Sequence, residues 1–177
     1  MVEVVLLRND EKIVMGIEST AHTFGVGIAT SLGRILANVT SVYTPKSGGI
    51  HPREAAQHHS LIAPEKIREA IKISGISPSE IDAIAFSCGP GMGPCLRVGA
   101  TIARSLSLKL KVPLISVNHG VAHIEIGRLT TRCRDPVVLY VAGGNTLITS
   151  YKDGRYRIFG ETLDIAAGNC LDVFGIK

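Results

Sequence analysis

Apolar and polar positions keep a period of about two through residues 13–17, 23–30 and 35–42, the spacing of strands with one face in a core. Between them stand two short breaks. One is the small, hydroxyl-bearing run Glu18-Ser19-Thr20-Ala21-His22, and the other is Ser31-Leu32-Gly33-Arg34. Three strands joined so closely predict an antiparallel meander. The period then lengthens. Residues 53–74 carry Ala55, His58, His59, Ile62, Ile67, Ala70 and Ile71 at helical spacing, with Pro64 as a candidate bend. A strand is expected at 81–86, a helix at 96–110, a short buried strand at 112–115, and a helix from Asn118, its candidate N-cap, with Val121, Ile124 and Leu129 on one face. Past Asp135-Pro136 the alternation returns at 137–141, 146–151 and 156–160, and a last helix is expected over 163–174.

This order contains a repeat. Residues 13–130 read βββαβαβα, and residues 137–174 read βββα. The duplicated unit is the lobe plan of the actin, Hsp70 and sugar-kinase superfamily. The expected architecture is thus α/β, with a first lobe at 13–134, the opening of a second at 135–177, and an N-terminal extension at 1–12. A three-stranded sheet without covering helices would leave apolar surface bare. We therefore expect the second lobe to be incomplete, and the chain to self-associate through it or to be completed by a partner.

Composition narrows the chemistry only slightly. The core must be aliphatic, because Trp is absent and aromatics make up 5% of the chain. A net charge of +4 permits nucleic-acid binding without arguing for it. Cys88, Cys95, Cys133 and Cys170 show no CxxC pairing, as expected of reduced cytoplasmic thiols. The apolar run at 4–7 is too short for a signal peptide or a membrane span.

Two stretches carry candidate chemistry. His119 and His123 stand four apart, so on a helix both imidazoles leave one side and could share a metal ion. Packed or surface histidines fit the same spacing. A zinc-protease reading fails, because Gly120 occupies the position of the general base that motif requires. The run from Cys88 to Gly99 joins a strand to a helix through Gly89-Pro90-Gly91-Met92-Gly93-Pro94. It could present N–H groups to an anion, or be simply a tight connection. His58 and His59 are adjacent, point about 100° apart, and read as packing or interface residues.

Taken together, the motifs resemble the tRNA threonylcarbamoyladenosine synthesis family, the catalytic subunit of the archaeal and eukaryotic KEOPS complex, formerly called O-sialoglycoprotein endopeptidase. They run in family order: Gly16-Ile17-Glu18-Ser19-Thr20-Ala21-His22-Thr23, Gly48-Gly49-Ile50-His51-Pro52-Arg53-Glu54-Ala55-Ala56, His58-His59, Gly89-Pro90-Gly91 and Leu96-Arg97-Val98-Gly99. Val117-Asn118-His119, His123-Ile124-Glu125, residues 139–146 and residues 160–169 follow. Ala21-His22-Thr23 and Tyr140 look archaeal. The resemblance implies transfer of a threonylcarbamoyl group from its adenylate to the adenosine beside the anticodon of ANN-decoding tRNAs. It implies one divalent ion, iron or zinc, on His119, His123 and Tyr140. Tyr140, Val141, Ala142, Gly143, Gly144 and Asp172 would hold the adenylate, and no protein nucleophile is implied. Implied partners are tRNA, a small dimerising subunit on the first-lobe helices and a kinase-like subunit, all in the cytoplasm and away from membranes.

The family's pattern continues past the Asp172 region with a further metal-binding Asp and a second-lobe nucleotide pocket, which this sequence does not carry. Other readings are a non-catalytic scaffold half in a KEOPS-like assembly, and a sugar kinase or ATPase on the same fold. The kinase reading would require a carboxylate base and a second-lobe adenosine loop.

Overall fold

The structure is a computed structural model and describes residues 10–45 and 47–175. It forms two compact units that divide between His119 and Gly120.

The first unit is built on a five-stranded sheet in the order β3-β2-β1-β4-β5. β1 (Ile13–Glu18), β2 (Thr23–Thr30) and β3 (Ile35–Val42) form the expected antiparallel meander, with Gly16 opposite Gly27 and Val26 opposite Val39. β4 (Ala83–Gly89) lies parallel to β1, and β5 (Leu114–Asn118) lies parallel to β4. The two parallel connections are helical, as a crossover requires: α1 (Pro52–Ser74) packs over β2 and β3, and α2 (Gly93–Leu110) over β4. Alternate side chains Ile13, Met15 and Ile17 of β1 join Phe24, Val26 and Ile28 of β2, Ile84 of β4, and Ala63, Ala70 and Ala103 of the helices in one aliphatic core. Small residues on the helices let them approach the sheet and each other.

Several boundaries differ from those expected. α2 begins at Gly93 instead of residue 96, because Pro94 occupies its first turn, where a missing N–H costs nothing. A 3₁₀ turn at Pro78–Glu80 is closed by a capping box between Ser77 and Glu80. Of the expected N-terminal extension, residues 1–9 lie outside the described residues. Residues 11 and 12, however, belong to the fold. Glu11 is buried in a two-point ion pair with Arg34, at 3.0 and 2.7 Å, and Lys12 pairs with Asp82 at 3.1 Å. His58 and His59 pack as expected. His59 is fully buried beside Phe24, and His58 Nε2 lies 2.9 Å from the Ser41 hydroxyl.

The second unit holds a separate antiparallel meander, β6 (Val137–Val141), β7 (Thr146–Lys152) and β8 (Arg155–Glu161). α3 (His119–Thr131) contributes nearly all of its length to this unit, so the division falls earlier than the expected boundary at 134/135. The reason is a polar cluster. Glu125 accepts from the Tyr156 hydroxyl at 2.6 Å and from Arg128 at 2.9 Å, and the Arg128 guanidinium lies over the Tyr151 ring. α4 (Ala167–Gly175) is shorter than expected and starts where the Thr146 hydroxyl accepts the Ala167 N–H at 2.9 Å. Among the described residues of this unit only Ile124, Thr149 and Ala166 are buried, whereas Val137, Leu139 and Val141 form an exposed apolar row on β6.

Candidate functional site

In the first unit, chemistry gathers where strands β1 and β5 end. Glu18 is the last residue of β1 and His119 is the residue directly after β5. Both strands run parallel to β4, so these residues reach the same edge of the sheet, where α/β folds place their sites. His119 Nδ1 lies 3.1 Å from Glu18 Oε2 and 3.3 Å from the Thr20 hydroxyl. The Thr20 backbone N–H and its hydroxyl both reach Glu18 Oε1 at 2.6 Å. Burial raises the Glu18 carboxyl pKa, but the two Thr20 hydrogen bonds and the His119 ring outweigh it and hold the group below its usual range.

The turn carrying Glu18 and Thr20 is held from behind. Ser19 is buried, and its hydroxyl donates to the Cys95 carbonyl at 3.2 Å. A Cβ on Gly99 would stand 1.9 Å from that hydroxyl, and one on Gly91 would stand 2.5 Å from the Thr20 carbonyl. The Met92 N–H donates to the same Thr20 carbonyl at 2.7 Å. The Gly89–Pro94 loop is a packed connection, and its Gly91 serves close backbone approach. His59 Nε2 pins the Ala21 carbonyl at 2.8 Å.

In the second unit the remaining expected residues sit on α3, β6, the turn after it, and α4. His123 and Tyr140 face each other as tilted rings with centroids 6.0 Å apart. Val141 ends β6, and Ala142 opens a turn in which its N–H donates to the Asn145 carbonyl. Gly143 and Gly144 are exposed at the tip. α4 backs this turn: a Cβ on Gly168 would stand 2.8 Å from Gly143 Cα and 2.9 Å from the Ala142 carbonyl. Asp172 is exposed on α4, one turn beyond Gly168 and on the same side of the helix. The Thr146 cap of α4 ties the turn's far end to the same helix.

Among the described residues, no group of three or more His, Cys, Asp and Glu gathers tightly enough to hold a metal ion. The residues at hand for one are two imidazoles on α3 and a phenol on β6. These are nitrogen and oxygen donors suited to iron or zinc, and His119 already has its ring fixed by hydrogen bonds at one nitrogen, as ligating histidines do. Sequence reading singled out both histidines and the glycine turn as candidates. It missed Glu18 and Thr20 as partners of His119, although the parallel order of β1, β4 and β5 places those chain segments together.

The family model described as TsaD, tRNA N6-adenosine threonylcarbamoyltransferase, matches residues 34–176. Curated relatives of that name include one from Thermofilum pendens, 65% identical over 161 residues, covering 91% of this chain and 48% of the relative. Another, from Hyperthermus butylicus, is 61% identical over 167 residues and covers 93% of this chain and 46% of the relative. The chain thus spans about half the length of the curated relatives it matches. Among solved structures, YeaZ from Pseudomonas aeruginosa superposes with a TM-score of 0.58 at 17% identity, covering 85% of this chain and 66% of that one. The ethanolamine utilization protein EutJ from Carboxydothermus hydrogenoformans gives 0.54 at 16% identity, over 94% and 56%. At these identities the likeness shows the fold alone, and the fold is the actin/Hsp70/sugar-kinase type.

Proposed function

Since the chain belongs to the tRNA N6-adenosine threonylcarbamoyltransferase family, we propose that it serves threonylcarbamoyl transfer from threonylcarbamoyl-adenylate to the adenosine beside the anticodon of ANN-decoding tRNAs. The observation that carries this reading is the fixed imidazole of His119, one helical turn before His123 on α3. His119, His123 and Tyr140 would hold one divalent ion, iron or zinc. Bound there, the ion supplies Lewis acidity toward carbonyl or phosphate oxygens. The chain's own part is to bind and orient. Tyr140, Val141, Ala142, Gly143 and Gly144 would take the adenylate, with the exposed backbone of the turn facing its phosphate, and Asp172 would contact the nucleotide. In the transfer, the adenosine N6 forms a bond to the carbamoyl carbon, the bond from that carbon to the phosphate oxygen breaks, and one proton leaves the amine as AMP departs. The substrate is already activated, so no side-chain nucleophile is required.

Within the same reading the chain acts in an archaeal cytoplasm with KEOPS-type subunits, a small dimerising one on α1 and α2 and a kinase-like one. Among the described residues no helix is long and apolar enough to cross a membrane. A second reading, a non-catalytic scaffold, is favoured by one observation: the apolar row Val137, Leu139 and Val141 is exposed, as a face that another chain or copy covers would be. The deciding experiment incubates the chain with threonylcarbamoyl-adenylate, tRNA and zinc or ferrous ion, and measures the modified nucleoside by mass spectrometry. Transfer by wild type that is lost in His119→Ala supports the enzyme. Equal product from both sinks the proposed site, and no product from either, with a partner subunit bound, favours the scaffold.

A further inference from the structure

We propose that Glu18 is the positioning residue of His119, setting its tautomer so that Nδ1 carries the proton and Nε2 carries the lone pair. The contacts at Nδ1 point to this answer. The Thr20 backbone N–H is a donor that cannot be exchanged, and it is aimed at Glu18 Oε1 at 2.6 Å. The Thr20 hydroxyl also lies 2.6 Å from Oε1, and because a carboxylate only accepts, the hydroxyl proton is committed there. That leaves the Thr20 oxygen as an acceptor toward His119, 3.3 Å from Nδ1. Glu18 Oε2, 3.1 Å from the same nitrogen, is an acceptor as well. Both neighbours of Nδ1 therefore accept, so Nδ1 donates. A neutral imidazole with Nδ1 protonated presents its lone pair at Nε2, the form in which a histidine ligates a metal through that nitrogen.

The turn is built to keep this arrangement. Ser19 between the two residues is buried and tied to Cys95, Gly91 and Gly99 allow α2 and its loop to close on the turn, and His59 holds Ala21. Glu18 is thus delivered to His119 by backbone that has little room to shift.

The isosteric variant Glu18→Gln makes the test sharp. Its single carbonyl oxygen must face Thr20, whose backbone N–H would otherwise meet an amide N–H. The amide NH₂ then faces Nδ1, and the ring must switch to the opposite tautomer. In Glu18→Ala the Thr20 hydroxyl loses its acceptor and can either donate to Nδ1 or accept from it, so the preference for Nδ1–H should weaken. Long-range ¹H–¹⁵N spectra of metal-free protein, recorded over a pH series up to a pH where the ring's shifts stop changing, report the proton on each ring nitrogen. The expected result is Nδ1–H in wild type, Nε2–H in Glu18→Gln, and a larger Nε2–H share in Glu18→Ala than in wild type. Zn²⁺ titration should show binding weakened about 10- to 100-fold in Glu18→Gln, the usual effect of losing an outer-shell partner. Only this second readout rests on the proposed metal role of His119. If the tautomer switches but wild type takes up no zinc through His119, the metal reading fails and the assignment of Glu18 stands. Nε2–H in wild type, Nδ1–H retained in folded Glu18→Gln, or no change in tautomer share in folded Glu18→Ala overturns the proposal.

Discussion

Replacing Gly99 by Ala should destabilise the first unit, although the same change in an ordinary helix interior stabilises. Gly99 is buried in the middle of α2, where alanine would gain about 1 kcal/mol from helix propensity. Against this, the new Cβ would stand 1.9 Å from the Ser19 hydroxyl oxygen and 3.0 Å from Ser19 Cβ. The hydroxyl cannot stay. Once displaced it loses its bond to the Cys95 carbonyl inside the protein, and an unsatisfied buried hydroxyl costs about 1–3 kcal/mol. The remaining contact between the two Cβ atoms overpacks the seam between α2 and the turn, worth about 1–3 kcal/mol more. The balance is a loss of roughly 1–5 kcal/mol. With no tryptophan in the chain, urea unfolding is best followed by circular dichroism, with hydrogen exchange of β1 and β4 amides reporting on this unit. Adding Ser19→Ala to Gly99→Ala removes the nearest clashing atom, so the double variant should recover part of the loss and show a favourable coupling. Gly99→Ala as stable as wild type, or more stable, would refute the argument that the turn sits hard against α2.

In the second unit, Gly168→Ala should abolish adenylate binding in calorimetric titration, because its Cβ meets Gly143 and Ala142 backbone atoms at 2.8–3.0 Å; Gly143→Ala, with only Asn169 Oδ1 at 3.8 Å, should fold normally. Unchanged binding by Gly168→Ala would remove this turn from the site. Burial lowers the pKa of His59 despite its bond to the Ala21 carbonyl, so below about pH 6.5 the unfolded chain binds the proton more readily and the stability of the neutral state is lost as pH falls. The stability difference between wild type and His59→Leu should therefore shift toward the variant on acidification, and a difference independent of pH would contradict it. The pair Val137→Lys and Leu139→Lys, at positions 74% and 65% exposed, should cost less than about 0.5 kcal/mol each and reduce self-association in analytical ultracentrifugation. A larger cost would show that this row is packed in the isolated chain.

The strands were legible because each keeps an alternating pattern, whose apolar face lies in the core in β1 and β2 and is left exposed in β6. β2, β3 and β6 end where alternation ends, and the two meanders follow from short, polar turns between apolar runs. What escaped the sequence depends on partners distant along the chain. α4 starts at Ala167 because Thr146, at the start of β7, accepts its N–H, and nothing near residue 163 announces that cap. Glu11 belongs to the fold because Arg34 meets it across the β2–β3 turn. The capping box around Ser77 is different, since its Ser-x-x-Glu spacing is written locally and could have been read.

The site shows the same division. His119 and His123 are four apart and stand out in one dimension, but the groups that give His119 its chemical state lie a hundred residues earlier. Glu18 and Thr20 look like turn residues until the parallel order β1-β4-β5 brings the end of the first strand beside the residue that follows the fifth. The glycines are informative for a related reason. In the first unit the turn after β1 sits hard against α2 at Gly99, and in the second the turn after β6 sits hard against α4 at Gly168. Each helix has a glycine where a side chain would push the turn away, so the duplicated strand pattern carries a duplicated packing requirement. A turn held that closely presents its outer groups with little freedom to retreat. In one unit those groups are the Glu18 carboxylate and the Thr20 hydroxyl, and in the other they are the exposed backbone of Gly143 and Gly144. Rigid presentation of this kind is what binding a charged group through fixed donors and acceptors requires.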